Sequence, residues 1–175
     1  MASIFGHVAA SSAFGFSFFK DKITWKAILL AGFCAFAPDL DVLAFRFGVP
    51  YTSIWGHRGW THSFAFAVFL GSLVAWLFYR NRADWWKMAV WFVISTASHP
   101  LLDMLTNGGL GCALWWPLND ERLFFTWRPI LVSPLEIRSF ISKYGIRVLM
   151  NEMLWVGMPG LLLVLLARAF RKEAP

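Results

Sequence analysis

Charge is what this chain has least of. Asp, Glu, Lys and Arg make up only 15% of its 175 residues, against about 25% in an ordinary soluble domain. Its surface therefore cannot face water all round, and the composition describes a membrane protein. Cysteine is scarce too: Cys34 and Cys112 stand far apart with no C-x-x-C pair, which indicates neither a zinc knuckle nor a dithiol redox motif. Glutamate occurs only at positions 121, 136, 152 and 173, so the H-E-x-x-H signature of a metallopeptidase is missing. There is no internal repeat or low-complexity tract. The net charge of +6 sits in short clusters between apolar runs rather than along an aromatic and basic stripe. That pattern speaks against nucleic acid as a partner. It fits positive flanks that orient membrane helices and meet anionic headgroups.

What the chain has in excess is apolar and aromatic sequence: 58% hydrophobic residues, with 11 Trp and 18 Phe. The length suits one domain, read here as a single integral-membrane domain over 1–175. Met1 to Phe19 carries no Lys, Arg, Asp or Glu, and Lys20, Asp21, Lys22 and Lys26 follow it. A secretory signal would place its positive charge before the apolar stretch, so residues 3–19 are expected to be a retained helix. Trp25 to Phe47 is a second apolar segment, interrupted by Pro38, Asp39 and Asp41. The proline should break or kink it, and a break at membrane depth must line a polar cavity or be buried in protein. A glycine-containing loop runs from Gly48 to Gly59. Further helices are expected over Trp60–Tyr79, Trp85 to about Leu105, near Leu135–Leu149 and Met153–Phe170. Residues 107–150 read as an irregular, aromatic and basic interfacial segment. The fold class is all-α: a multi-pass transmembrane helical bundle with about four to five membrane helices.

The basic clusters Lys20–Lys26, Arg80–Lys87 and Arg168–Lys172 mark one end of this bundle, cytoplasmic by the positive-inside rule. Alternating helix direction then brings His7, Asp39, Asp41, His57, His62, His99 and Asp103 to the opposite end. That places the site at one membrane face, the outer one by the same rule, although Arg122, Arg128, Arg138, Lys143 and Arg147 on that side run against it. All four histidines of the chain fall in this set. His99 and Asp103 stand four residues apart, one turn above the other on a helical face. Imidazole and carboxylate together are the ligand set of zinc and of other divalent metals such as manganese or iron. One ion, or two sharing a carboxylate, is expected from His7, Asp39, Asp41, His62, His99 and Asp103. A two-metal centre of that kind can generate hydroxide and clamp both oxygens of a displaced phosphoester.

Each residue also has a plainer role open to it. His7 can be an interfacial histidine, and Asp39 and Asp41 can end or cap helices. Of these two, one can ligate while the other orients an imidazole. His62, taken as helical, is a safer ligand than His57. Arg58 can clamp a substrate phosphate or pair with an aspartate. Thr61, Ser63 and Thr106 read as capping and orienting groups, and the Trp115–Trp116 and Phe124–Trp127 clusters as an interfacial aromatic belt.

Three motifs in order, A-P-D-L-D at 37–41, G-H-R-G-W-T-H-S at 56–63 and H-P-L-L-D-M-L-T-N-G-G at 99–109, resemble the YdjM-like family of bacterial inner-membrane proteins. The P-L-N-D-E-R stretch at 117–122 and the following W-R-P fit the same pattern, whereas the final helix contributes nothing to it. The resemblance implies an inner-membrane, metal-dependent hydrolase. A more distant likeness to zinc-dependent phospholipase C implies ligands at His7, Asp39 or Asp41, His62, His99 and Asp103, without the further histidine pair and glutamate of a three-zinc cluster. The function expected is hydrolysis of a lipid or lipid-linked phosphoester. In it Arg58 steadies charge, and His57 or a spare carboxylate such as Asp41 handles protons. The alternative is a non-enzymatic membrane protein that transports, senses or is stapled by a divalent metal.

Overall fold

The computed structural model describes residues 1–134 and 136–172. Helices α1 (Ile4–Phe18), α2 (Trp25–Phe36), α3 (Phe64–Tyr79) and α4 (Trp85–Met104) form the body of the molecule. A short α5 (Ile137–Phe140) precedes α6 (Lys143–Glu152) and α7 (Met158–Lys172), which a π-helical turn at Met153–Gly157 joins. Among the described residues there is no strand, only the isolated bridges Thr106–Ile130 and Cys112–Leu123. The all-α expectation holds.

Local sequence sets the helix starts. Ser3, Thr24 and Ser63 each accept a backbone N–H from the first turn of α1, α2 and α3, the usual work of a hydroxyl at an N-cap. Because Ser63 caps α3, the helix expected from Trp60 begins only at Phe64, and Trp60–His62 is a separate 3-10 turn. His62 therefore sits ahead of the helix rather than in it. Pro38 ends α2 as expected, and the chain continues as a 3-10 helix over Ala37–Phe47. With about 120° per residue in that geometry, Asp39 and Asp41 point to different neighbours.

Helix α4 lies at the centre, against α1, α2 and α3. Small residues let the backbones close. Ala27, Ala31 and Ala35 of α2 are buried, and a Cβ on Gly71 would lie 2.4 Å from Val93 N. Such stripes drive helix association in lipid, where apolar burial supplies no force of its own. Two helical stretches are long and apolar enough to cross a membrane, Trp25–Phe47 and Lys143–Arg171. Ile4–Phe18 and Phe64–Tyr79 are apolar but shorter. At 1.5 Å per residue, the 16 residues of α3 span about 24 Å of a hydrocarbon layer about 30 Å thick.

Two separate helices were expected at the C-terminal end, one near Leu135–Leu149 and one over Met153–Phe170. Leu135 lies outside the described residues, and from Lys143 onward the two are a single rod. The π-turn absorbs the register where Asn151 and Glu152 interrupt the apolar run. The three basic clusters do meet at one end: Lys22 pairs with Asp84, and Arg171 donates to Ser17 O. Cys34 and Cys112 are buried free thiols.

Candidate metal centre

The opposite end of the bundle gathers polar groups that the rest of the core excludes. Asp39 comes from the 3-10 break after α2, His62 from the 3-10 turn before α3, and His99 and Asp103 from successive turns of α4. All four are buried, and one ligand atom from each lies within 4.8 Å of the others. His99 Nε2 stands 3.4 Å from Asp39 Oδ1. His62 Nε2 stands 3.7 Å from the same oxygen and 3.6 Å from Asp103 Oδ2.

The imidazole tautomers follow from their outer partners. His99 Nδ1 is 2.7 Å from the Ala35 carbonyl, which can only accept, so Nδ1 carries the proton and Nε2 a lone pair. His62 Nδ1 faces the Asp41 carboxylate at 3.2 Å, so Nδ1 carries a proton there too and Nε2 is the atom left to face His99. The two Nε2 atoms are 3.0 Å apart. Two lone pairs cannot face each other at that distance without a cation between them.

A single proton would satisfy that pair alone. Around it, both oxygens of Asp39 and both ring nitrogens of His7 are buried with no hydrogen-bond partner. At about 1–3 kcal/mol for each such atom, the four together would cost a large share of the whole stability of a domain, roughly 5–15 kcal/mol. A divalent cation answers the carboxylates and the imidazoles at once, and two aspartates with two or three histidines are a donor set such ions accept. The residues present fit a metal.

His7 lies at the margin of the four-residue group. Its ring stacks on His99 with centroids 3.8 Å apart, and its Nε2 is 3.5 Å from Asp103 Oδ1 and 3.9 Å from Asp39 Oδ2. Each aspartate thus turns one oxygen toward His62 and the other toward His7. Asp103 Oδ1 also accepts the Ala2 N–H at 2.7 Å.

Asp41 and His57 form a second tier. Asp41 accepts from His57 Nδ1 at 2.7 Å, Thr61 Oγ1 at 2.6 Å and Arg58 N at 3.1 Å, besides its contact with His62. Asp39 thus belongs to the four-residue group, whereas Asp41, His57 and His62 form a second set whose ligand atoms also lie within 4.8 Å of one another. His57 lines a cavity of about 220 Å³ with Tyr51 and Gly109. Burial lowers the His57 pKa, against the pull of Asp41. Burial acts on His62 in the same sense, but the carboxylates of Asp103, Asp39 and Asp41 outweigh it and hold this imidazole well above the usual histidine range.

Arg58 is fully buried, with Nε 3.0 Å from Asp103 Oδ2, Nη1 donating to Gly108 O and Leu110 O, and Nη2 donating to Thr106 Oγ1. Of the two roles open to it, pairing with an aspartate is the one seen in this geometry. Its backbone takes a left-handed φ of 64°, a conformation that costs a non-glycine residue about 1–3 kcal/mol. The bonds from Arg58 N to Asp41 and from Ala113 N to Arg58 O hold it there. Ser63 caps α3, as expected, whereas Thr106 donates to the backbone carbonyl of Asp103 rather than to its carboxylate, and Thr61, expected to cap, donates to Asp41.

Two contributors were not anticipated. Arg122 donates to the carbonyls of His57, Gly111, Tyr51 and Ser53, clamping the loop that carries His57 and Arg58. Glu152, from the C-terminal rod, accepts from both the backbone N–H and the hydroxyl of Ser3, fixing the start of the helix that carries His7. The signal was present in each case: Arg122 closes the P-L-N-D-E-R stretch, and Glu152 is a carboxylate inside a long apolar helix.

The comparisons with known proteins agree with the motifs. A family model described as "YdjM inner membrane protein" matches residues 1–174. The chain is 37% identical over 166 residues to a protein of Escherichia coli (strain K12) named "Inner membrane protein YbcI", covering 94% of this chain and 95% of the relative. No solved structure matches it.

Proposed function

The chain belongs to the YdjM inner membrane protein family, and on that footing we propose that it is a membrane-embedded, metal-dependent hydrolase of a phosphoester on a lipid or lipid-linked substrate. The observation that carries the reading is the facing Nε2 pair of His62 and His99, with both Nδ1 positions already committed and unpartnered carboxylate oxygens around it. Asp39, His62, His99 and Asp103 hold the ion. The oxygens that Asp39 and Asp103 turn toward His7 offer a second position, so one or two ions are accommodated, zinc first and manganese or iron as alternatives. Such an ion, when bound, supplies Lewis acidity and an acidified water at neutral pH.

The chain's own residues do the rest. Asp41 holds the His62 ring by Nδ1, and Arg58 fixes Asp103, so both act as positioning residues. His57, its Nδ1–H donated to Asp41, keeps a lone pair at Nε2 and is neutral at pH 7 because burial lowers its pKa, as a proton acceptor must be. In this reading the chain crosses four to five times (from α1, α2 with its 3-10 extension, α3, α4 and the α6–α7 rod), with the basic ends in the cytoplasm and the metal centre toward the periplasm, as the positive-inside rule favours. One observation favours a second, non-enzymatic reading: His62, His99 and Asp103 have no exposed surface, as in a metal that only staples helices.

Turnover separates the two. Purified protein loaded with zinc, manganese or iron is assayed for inorganic phosphate released from phosphatidic acid and alkyl phosphates in mixed micelles. Release abolished by Asp103→Ala is the expected result. Metal content and activity both intact in Asp103→Ala would contradict the assignment, and a metal-loaded protein without turnover on any of these esters would favour the staple.

A further inference from the structure

Of the four residues in the metal cluster, Asp39 borders a cavity of about 320 Å³ at the start of α1. Its other walls include Ile4, Phe5, Phe36, Val42 and Phe140. Met1, Ser3, Ser133 and Glu136 add polar groups to this largely apolar wall, and both Asp39 carboxylate oxygens, buried and without a partner, lie just behind it. Its rim is continuous with the outer surface of the bundle, where Ile4 and Phe5 are 50% and 64% exposed and Leu40 and Leu43 nearly as open. In a membrane protein that surface faces hydrocarbon, so whatever fills the cavity enters from the side, from the bilayer. Two other apolar cavities lie between α1 and the C-terminal rod, and neither is bordered by Asp39, Asp103 or a histidine.

We propose that this cavity binds the alkyl chain of a membrane lipid and sets its phosphate-bearing end at Asp39. The inference rests on the hydrolase reading above and narrows its substrate. Asp39 belongs both to the cavity wall and to the cluster, which leaves no room for a polar spacer between the alkyl chain and the group acted upon. The substrate class is therefore a lipid whose phosphoester oxygen is borne directly on the apolar chain or its first carbons. A bond at the far end of a large headgroup would lie out of reach. A chain in the cavity also stands in for water over the mouth at Asp39, where the site would otherwise open toward the membrane.

The test is photo-crosslinking in nanodiscs with a twelve-carbon alkyl phosphate bearing a diazirine on its chain, the labelled residues being read by mass spectrometry. Metal content is measured on the same samples. Labelling concentrated on Ile4, Phe5, Val42 and Phe140, competed by unlabelled dodecyl phosphate, is the expected result. Val42→Trp, which fills the cavity, and Ile4→Trp, which crowds its half-exposed rim, should each lower that labelling at least fivefold while metal content stays unchanged. Label spread over the lipid-facing side of the rod at Leu161 and Leu165, or cavity labelling unaffected by both variants, would overturn the proposal. Metal-free protein that still labels in the cavity would support the lipid site while removing the hydrolase reading, so the two can fail separately.

Discussion

Two histidine–aspartate groups share the ring of His62, and they differ in one respect. In the group made by Asp41, His57 and His62, the carboxylate is met by donors from His57, Thr61 and Arg58 N. Ordinary protein hydrogen bonds close that group. In the group made by Asp39, His62, His99 and Asp103, the Nε2 atoms of two imidazoles face each other at 3.0 Å and both oxygens of Asp39 stay unpartnered. Nearly the same side chains, one shared ring apart, make a self-sufficient network on one side and one that could hold a metal ion on the other. Ligand-type residues in proximity therefore do not by themselves indicate a metal. The indication comes from donors that are missing once every outer partner has been assigned.

The comparison can be broken by mutation, beginning where the effect is largest. His99→Ala removes one of the facing imidazoles, and bound metal should fall from about one or two ions per chain to background by elemental analysis. Full retention would place the ion elsewhere. Arg58→Met leaves the Asp103 carboxylate buried without its cation. Removing one partner of such a pair costs about 3–5 kcal/mol, visible as a large drop in thermal midpoint in detergent; an unchanged midpoint would mean that the pair is dispensable. Asp41→Asn acts only through His62 and should weaken metal affinity about 10–100-fold without abolishing binding, as loss of an orienting carboxylate does. Competition against a chelator of known affinity checks this. His57→Asn should leave metal affinity within a few-fold of the parent while lowering phosphate release about 10²–10⁴-fold, the usual range for a lost acid–base group. A loss of metal equal to that of His99→Ala would put His57 in the wrong group.

Sharing His62 also has a consequence for protons. The carboxylates of Asp103, Asp39 and Asp41 outweigh burial and hold this imidazole well above its usual range, so without metal it is protonated at neutral pH. An ion that takes its Nε2 must displace that proton. Titration calorimetry at pH 7 in buffers of different ionisation enthalpy should report about one proton released per ion bound. A buffer-independent heat would contradict it.

Much of this arrangement was legible in the sequence where charge alone decides. The charge-free run before Lys20 became α1, the segment from Trp85 became α4, and the basic clusters at 20–26, 80–87 and 168–172 came together at one end. The cluster of His7, Asp39, His62, His99 and Asp103 was legible too, because ionisable side chains in apolar runs are costly unless they serve one another or a ligand. What the sequence left open was decided by turns. Which of Asp39 and Asp41 enters the cluster depends on the 3-10 geometry after Pro38. The place of His62 depends on Ser63 capping α3. Arg58 in a glycine loop looks free to meet a substrate until Gly108, Leu110 and Thr106, about fifty positions away, take most of its donors. Glu152 was passed over because its partner, Ser3, lies at the other end of the chain. Contacts of that range leave no periodic trace in the residues between them.

The most direct test of the central claim is elemental analysis of the purified protein beside His99→Ala, each kept folded in detergent. One or two zinc, manganese or iron ions per chain in the parent, lost in the variant, is the result this structure predicts. A folded parent free of transition metal, with the cluster intact and no ion taken up on dialysis, would make the facing histidines a proton-sharing packing network and contradict the account.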